Sequence, residues 1–156
     1  AAGAVVAFMT ATQFAGQLTG GFLGDRLNKR MVCAGCLAAH AIGLTLVAFA
    51  HAPWIAILGV FVHGLGWGVR GPLMTAMRAD YFGASSFGTI MGFSSLIVML
   101  GMSLGPIIAG LLADATGNYQ LGFAILAAGS MLGSLCFIAA TPPSHPSTAH
   151  EVTDAR

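Results

Sequence analysis

Charge is absent from long stretches of this chain, and that absence constrains its fold more than any other feature. No Asp, Glu, Lys or Arg occurs from Ala1 to Gly24, from Met31 to Val69, from Tyr81 to Ala113 or from Ala115 to His150. A soluble domain carries about 25% charged residues, whereas this chain carries 7% charged and 56% hydrophobic residues, with a mean hydropathy of +0.84. Water is therefore the wrong solvent. A bilayer core of about 30 Å is crossed by roughly 20 apolar residues rising about 1.5 Å each in a helix. The runs are long enough for that, and the chain reads as an all-α membrane protein whose first partner is the lipid bilayer.

Breakers and charges divide it into five candidate transmembrane helices, at about residues 1 to 23, 31 to 50, 54 to 78, 87 to 113 and 120 to 140. The first connection, Gly24 to Arg30, is basic, and the second, His51 to Pro53, is very short. The third holds Arg78, Asp80 and Gly83, and the fourth runs from Asp114 to Asn118. Residues 1–140 thus read as one transmembrane part. From residue 141 the Pro, Ser and Thr content and the return of charge predict a disordered tail, 141–156. Lys and Arg near the spans sit in the first and third connections, as Arg26, Lys29, Arg30 and Arg78, and are missing from the second and fourth. The positive-inside bias then places the first and third connections and the tail in the cytoplasm of a multi-pass protein, expected in the cell membrane.

A net charge of +1, with its basic residues in short loops, excludes nucleic acid as a partner, because phosphate binding needs a clustered basic face. Cys33, Cys36 and Cys136 lie inside apolar segments and read as buried thiols. The chain opens on Ala1 in the middle of an apolar run, without a basic leader, as a truncated gene product would.

Small residues show where helices approach each other, since lipid gives apolar helices no reason to associate and close backbone contact must supply it. Gly16, Gly20 and Gly24 recur at every fourth residue of the first span, Gly64 and Gly68 in the third, and Gly101, Gly105, Ala109 and Ala113 in the fourth.

The segment Gly21-Phe22-Leu23-Gly24-Asp25-Arg26-Leu27-Asn28-Lys29-Arg30 resembles the cytoplasmic signature of the major facilitator superfamily. Asn28 stands where that family usually has Gly, and Asn is the next best residue at positive φ. Gly64-Leu65-Gly66, Gly68, Pro72 and Ala79-Asp80-Tyr81-Phe82-Gly83 look like the fourth helix of either half of the family. Gly92, Gly101, Gly105-Pro106, Gly110, Asp114 and Thr116-Gly117-Asn118-Tyr119 look like its eleventh helix and the following turn. The resemblance covers residues 16 to 123. It implies that the five spans are helices 8–12 of the transporter fold, with helices one to seven in a missing N-terminal part of the same protein. The competing register is helices two to six, related by internal repetition.

Candidate site residues follow from the third span. At about 100° per residue, His63, Gly66, Trp67, Arg70, Met74 and Met77 share one face, and Gly64, Gly68 and Thr75 lie on the other. One face is expected to pack and the other to line a cavity. Arg70 is the only formal charge well inside a span, and Gly71-Pro72 follows it, where proline invites a kink. An intramembrane Arg costs at least about 2.5 kcal/mol on insertion scales, so it faces a wet cavity or a partner, or else snorkels to the surface. Gln13 and Gln17, one turn apart, could meet the substrate or another helix. Asp25 is expected to cap a helix boundary, and the resemblance assigns Gly21, Asp25, Arg26, Lys29 and Arg30 to the cytoplasmic gate, with Arg78 as the partner of Asp25. Gly101, Gly105, Pro106 and Gly110 are expected to pack the fourth span.

The function implied is secondary active transport of a small-molecule substrate by alternating access, with no cofactor and no metal. A fixed guanidinium at Arg70 would favour an organic anion such as a carboxylate. Asp25, Asp80 and Asp114 all lie at span ends, so the expected proton carrier is in the missing part, with His63 the only local alternative. A different class, a small membrane thiol oxidoreductase or metal-binding protein, would use Cys33, Cys36 and His40 on one face of the second span. No Ser-His-Asp set, paired carboxylates or phosphate loop supports an enzyme.

Overall fold

Helices form wherever the uncharged runs predict them. The computed structural model describes residues 2–141. Helix α1 spans Ala2–Arg26, α2 Lys29–Ala48, α3 Pro53–Gly83, α4 Ser86–Thr116 and α5 Gln120–Ala139. By length and composition α2, α3, α4 and α5 can each cross a membrane. Helix α1 has the length, 25 residues, but Gln13, Gln17 and its threonines dilute its apolar character. The tail expected over 141–156 lies, beyond Thr141, outside the described residues.

Local chemistry sets the ends. Pro53 opens α3 at its first turn, where its missing N–H costs nothing. Helix α3 runs past the expected boundary near 78, so Arg78 and Asp80 sit within its last turns rather than in a connection. At about 1.5 Å per residue its 31 residues exceed a bilayer core, and the excess turns carry these charges into the interface. Gly83, at φ 71° and ψ 172°, then breaks the helix, a conformation that side chains with a Cβ rarely take. No such break occurs at Pro72 or Pro106, where the backbone stays helical. Gly117, at φ 75°, ends α4 and donates its N–H to the Ala113 carbonyl at 2.8 Å.

The first connection differs from expectation at two residues. Asn28 does not take a positive φ; at φ −65° and ψ 106° it is the N-cap of α2, its side chain accepting from the N–H groups of Arg30 and Met31. Asp25 caps nothing, because α1 continues through it to Arg26.

In space the order is α1, α3, α2, α5, α4, with α3 nested between α1 and α2. Glycine makes the first contact: a Cβ on Gly16 would lie 2.7 Å from the Leu65 carbonyl oxygen, and one on Gly20 2.7 Å from that of Val69. Gly43 and Gly59 bring α2 and α3 together in the same way. Ser134 joins α5 to α2 by donating to the Ala34 carbonyl at 2.8 Å. The outer faces are apolar, with Phe14 and Leu18 of α1, Phe93 and Leu111 of α4 and Leu132 of α5 all more than 60% exposed, as a lipid solvent permits.

Helix α4 packs through the alanines of its expected stripe and not through Gly101, Pro106 or Gly110. Gly122 of α5 sits on Ala109, and Ala109 and Ala113 are buried. Gly105 reaches only Leu126, Gly101 and Gly110 face open space, and Pro106 is exposed. The α4–α5 turn brings only the C-terminal half of α4 against α5, so the upper part of the stripe has no partner among the described residues.

Candidate functional site

The chemistry-bearing face of α3 divides between two neighbours. Trp67, Arg70, Gly71, Met74 and Arg78 line an open cleft of about 340 Å³, closed on its far wall by Ser95, Val98 and Met99 of α4. His63, Gly66 and Met77 turn instead toward α2: Gly66 abuts the Cys36 carbonyl, and Met77 is buried with Cys33 and Leu73. The sequence placed all six on one face; two helices share that face.

Arg70 is the centre of the cleft. Its guanidinium carbon lies 5.2 Å from the centroid of the Trp67 ring, which one turn of helix brings beneath it. Its Nε is buried and has no hydrogen-bond partner, and the one ion pair among the described residues lies elsewhere. Arg78, two turns on, directs Nη1 to Met91 Sδ at 3.4 Å. The cleft thus combines two guanidinium groups, an indole, thioethers and the Ser95 hydroxyl. A comparable groove of about 380 Å³ between α2 and α5, lined by residues such as Ala41, Ile42, Ala127 and Met131, holds no charged side chain.

Gln13 and Gln17 do not join this cleft. They flank Gly68 on the α1 side of α3, opposite Arg70, because the small-residue face of α3 is the one α1 can approach.

The residues expected at the gate are arranged differently from the expected Asp25–Arg78 pair. Lys29 Nζ and Asp80 Oδ2 are 2.6 Å apart. Arg30 donates from Nη1 to the Ala140 carbonyl at 2.7 Å, where a cation meets the negative end of α5. Asp25 is exposed, Arg26 lies over the Phe22 ring at 4.3 Å, and a Cβ on Gly21 would meet open space. The first connection, the end of α3 and the end of α5 therefore share one end of the bundle.

The thiol alternative is not favoured. Cys33 is wholly buried against Leu73 and Met77, so an external substrate has no path to it. Among the described residues no three His, Cys, Asp or Glu side chains are grouped to hold a metal.

Known families supply the context for this geometry. The family model described as Major Facilitator Superfamily matches residues 1–154. The chain belongs to that superfamily. Relatives include the cis,cis-muconate transport protein of Acinetobacter baylyi, 29% identical over 80% of this chain and 30% of its own length. The multidrug resistance protein B homolog of Mycobacterium tuberculosis is 34% identical over 64% of this chain and 18% of its own. The class G tetracycline resistance protein of Vibrio anguillarum is 28% identical over 85% and 34%. The chain thus spans about a third or less of the length of these superfamily relatives. No solved structure matches it.

Two features of this superfamily member escaped the sequence. His40 and His63 touch across α2 and α3, and Ser95 of α4 reaches the Arg70 cleft. The first had a signal: His51–Pro53 makes α2 and α3 a tight antiparallel hairpin, so residues equally far from that turn meet. Gly43 with Gly59 and His40 with His63 are such pairs.

Proposed function

We propose that this chain forms helices 8–12 of a secondary transporter, not an enzyme, and that it carries an organic anion through a cavity walled by Arg70. The observation that carries the proposal is the state of Arg70: a guanidinium set in a cleft over Trp67, its Nε buried and unpartnered, with every carboxylate of the spans at a helix end. A carboxylate can accept two parallel hydrogen bonds from such a fork. The name of the Acinetobacter baylyi relative, a transport protein for the dicarboxylate cis,cis-muconate, supports the same reading. The resistance proteins among the relatives make drug export the reading to be tested against it.

In the proposed cycle, the cleft between α3 and α4 opens and closes as two halves of the transporter rock around a site near the bilayer midplane. Residues 1–140 form the membrane part, in the cell membrane, and 141–156 a cytoplasmic tail. The end bearing Lys29–Asp80 and Arg30–Ala140 faces the cytoplasm by its basic charge, and these contacts hold that end of the half together.

Uptake of labelled cis,cis-muconate, tetracycline and a quinolone by the full-length transporter tests the cargo. Arg70→Ala is expected to weaken binding of the dicarboxylate at least tenfold, the worth of a charged hydrogen bond of about 1.5 kcal/mol or more, with insertion unchanged. Arg70→Lys keeps the charge but loses the fork, and is expected to weaken binding less. Wild-type dicarboxylate affinity in Arg70→Ala would overturn the assignment.

A further inference from the structure

A histidine pair, His40 buried and His63 half-buried, lies behind the cleft, and nothing in the proposed cycle uses it. His40 on α2 is 3% exposed, and its Nδ1 is 3.1 Å from Nδ1 of His63 on α3. The other nitrogen of His40, Nε2, is buried without a hydrogen-bond partner. Trp67 touches both rings, at centroid distances of 5.7 Å from His40 and 6.2 Å from His63, and the Arg70 guanidinium lies against the same indole. One contiguous stack runs from the α2–α3 interface to the cation in the cleft wall.

Two facing imidazole nitrogens allow few protonation states. A hydrogen bond between them needs one N–H and one lone pair, so one Nδ1 carries a proton and the other is bare. Which ring donates depends on the tautomer each holds. A proton added at the free Nε2 of the donating ring converts the neutral N–H···N bond into a stronger, charge-assisted one. A second proton would have to enter at the accepting Nδ1, where the partner N–H already points, and would set two N–H groups against each other. The pair takes one proton and refuses a second.

Its neighbours determine what that proton responds to. On α3 Arg70 reaches it through the shared Trp67 ring, and on α2 Cys36 and Cys33 follow one and two turns before His40. Helix α1 lies on the opposite face of α3, the single titratable side chain of α5 is the exposed Cys136, and Asp25, Asp80 and Asp114 stand at helix ends. Arg70 is thus the nearest fixed charge, with Arg78 two turns farther along α3 in the same cleft. We propose that His40 and His63 form a one-proton binding site linked electrostatically to Arg70, so that an anion bound at Arg70 and a proton on the pair favour each other. The anion part rests on the cargo reading above; the proton capacity and the coupling to Arg70 do not. Such linkage is reciprocal.

Nitrogen-15 histidine spectra of the full-length protein in lipid nanodiscs, titrated downward from about pH 8 as far as the protein stays folded, test the site without any cargo. Wild type is expected to show a shared N–H···N bond and uptake of one proton by the pair, with His40→Gln and His63→Gln providing the assignments. Arg70→Gln, which removes the fixed charge, is expected to tighten that proton about tenfold. Adding cis,cis-muconate to wild type is expected to do the same. Two independent titrations in wild type, or proton binding unchanged in Arg70→Gln, overturn the site. The proton count needs no variant, so a substitution that fails to fold leaves the test intact. Failure of the cargo reading looks different: dicarboxylate affinity survives Arg70→Ala while the spectra still report one shared proton, which retires the anion and upholds the proton site.

Discussion

The two flanks of α3 are built in opposite ways. Toward α1, Gly16, Gly20 and Gly68 bring backbone against backbone, and Gly64 makes room for the short Thr12 side chain. Toward α4, long side chains, Trp67, Arg70, Met74 and Met99, leave a cleft of about 340 Å³. Backbone contacts have no rotamers with which to adjust, so α1 and α3 are expected to move as one body. Side chains can repack, so the α3–α4 flank can change its width. Alternating access needs both a rigid unit and a yielding seam.

The largest test breaks the rigid flank. Gly68→Val would drive a side chain into the Gln13 carbonyl and the Gln17 backbone, and α1 cannot yield without leaving α3. The expected loss is about 3 kcal/mol or more, read as a lowered melting temperature and an aggregated fraction in detergent. Wild-type stability would mean that the flank is not rigid.

A smaller effect is expected across the seam. Met74→Ala removes a half-buried side chain from the cleft wall and should cost only about 1 kcal/mol, while changing substrate affinity several-fold. A stability loss as large as that of Gly68→Val, with affinity unchanged, would make Met74 a packing residue and blur the contrast between the flanks. The smallest effect is expected at Gly101→Ala, where a Cβ meets open space. Stability should stay within about 0.5 kcal/mol. A loss comparable to that of Gly68→Val would instead locate another helix of the full transporter against Gly101.

Much of the fold was legible because the signals are local. Uncharged runs gave the five helices, and the Gly64 and Gly68 face was correctly read as the packing face of α3. On α4 the same rule held for Ala109 and Ala113 of the stripe and not for Gly101, which faces open space, because small-residue spacing marks a stripe that can pack and not whether a neighbour is there. At the gate, charge and motif pointed to Asp25 with Arg78. The observed ion pair is Lys29 with Asp80, because α3 continues through Arg78 and carries Asp80 over the start of α2. Arg70, Trp67 and Met74 were found as a group because a single helix face holds them. Gln13 and Gln17 were read as meeting either the substrate or another helix, and their backbone lies against Gly68; nothing in the sequence says which side of α3 receives α1.

Sequence by itself determined the solvent, the number of helices, the basic end of the bundle and the intramembrane Arg70, since each depends on residues near one another in the chain. Tertiary structure decided which helix each face of α3 meets, and so which polar groups become a cleft and which become a buried pair. Whether His40 finds His63 depends on the angle and depth at which two helices pack. That geometry is set by the Gly43–Gly59 contact and the short turn between them, not by either histidine.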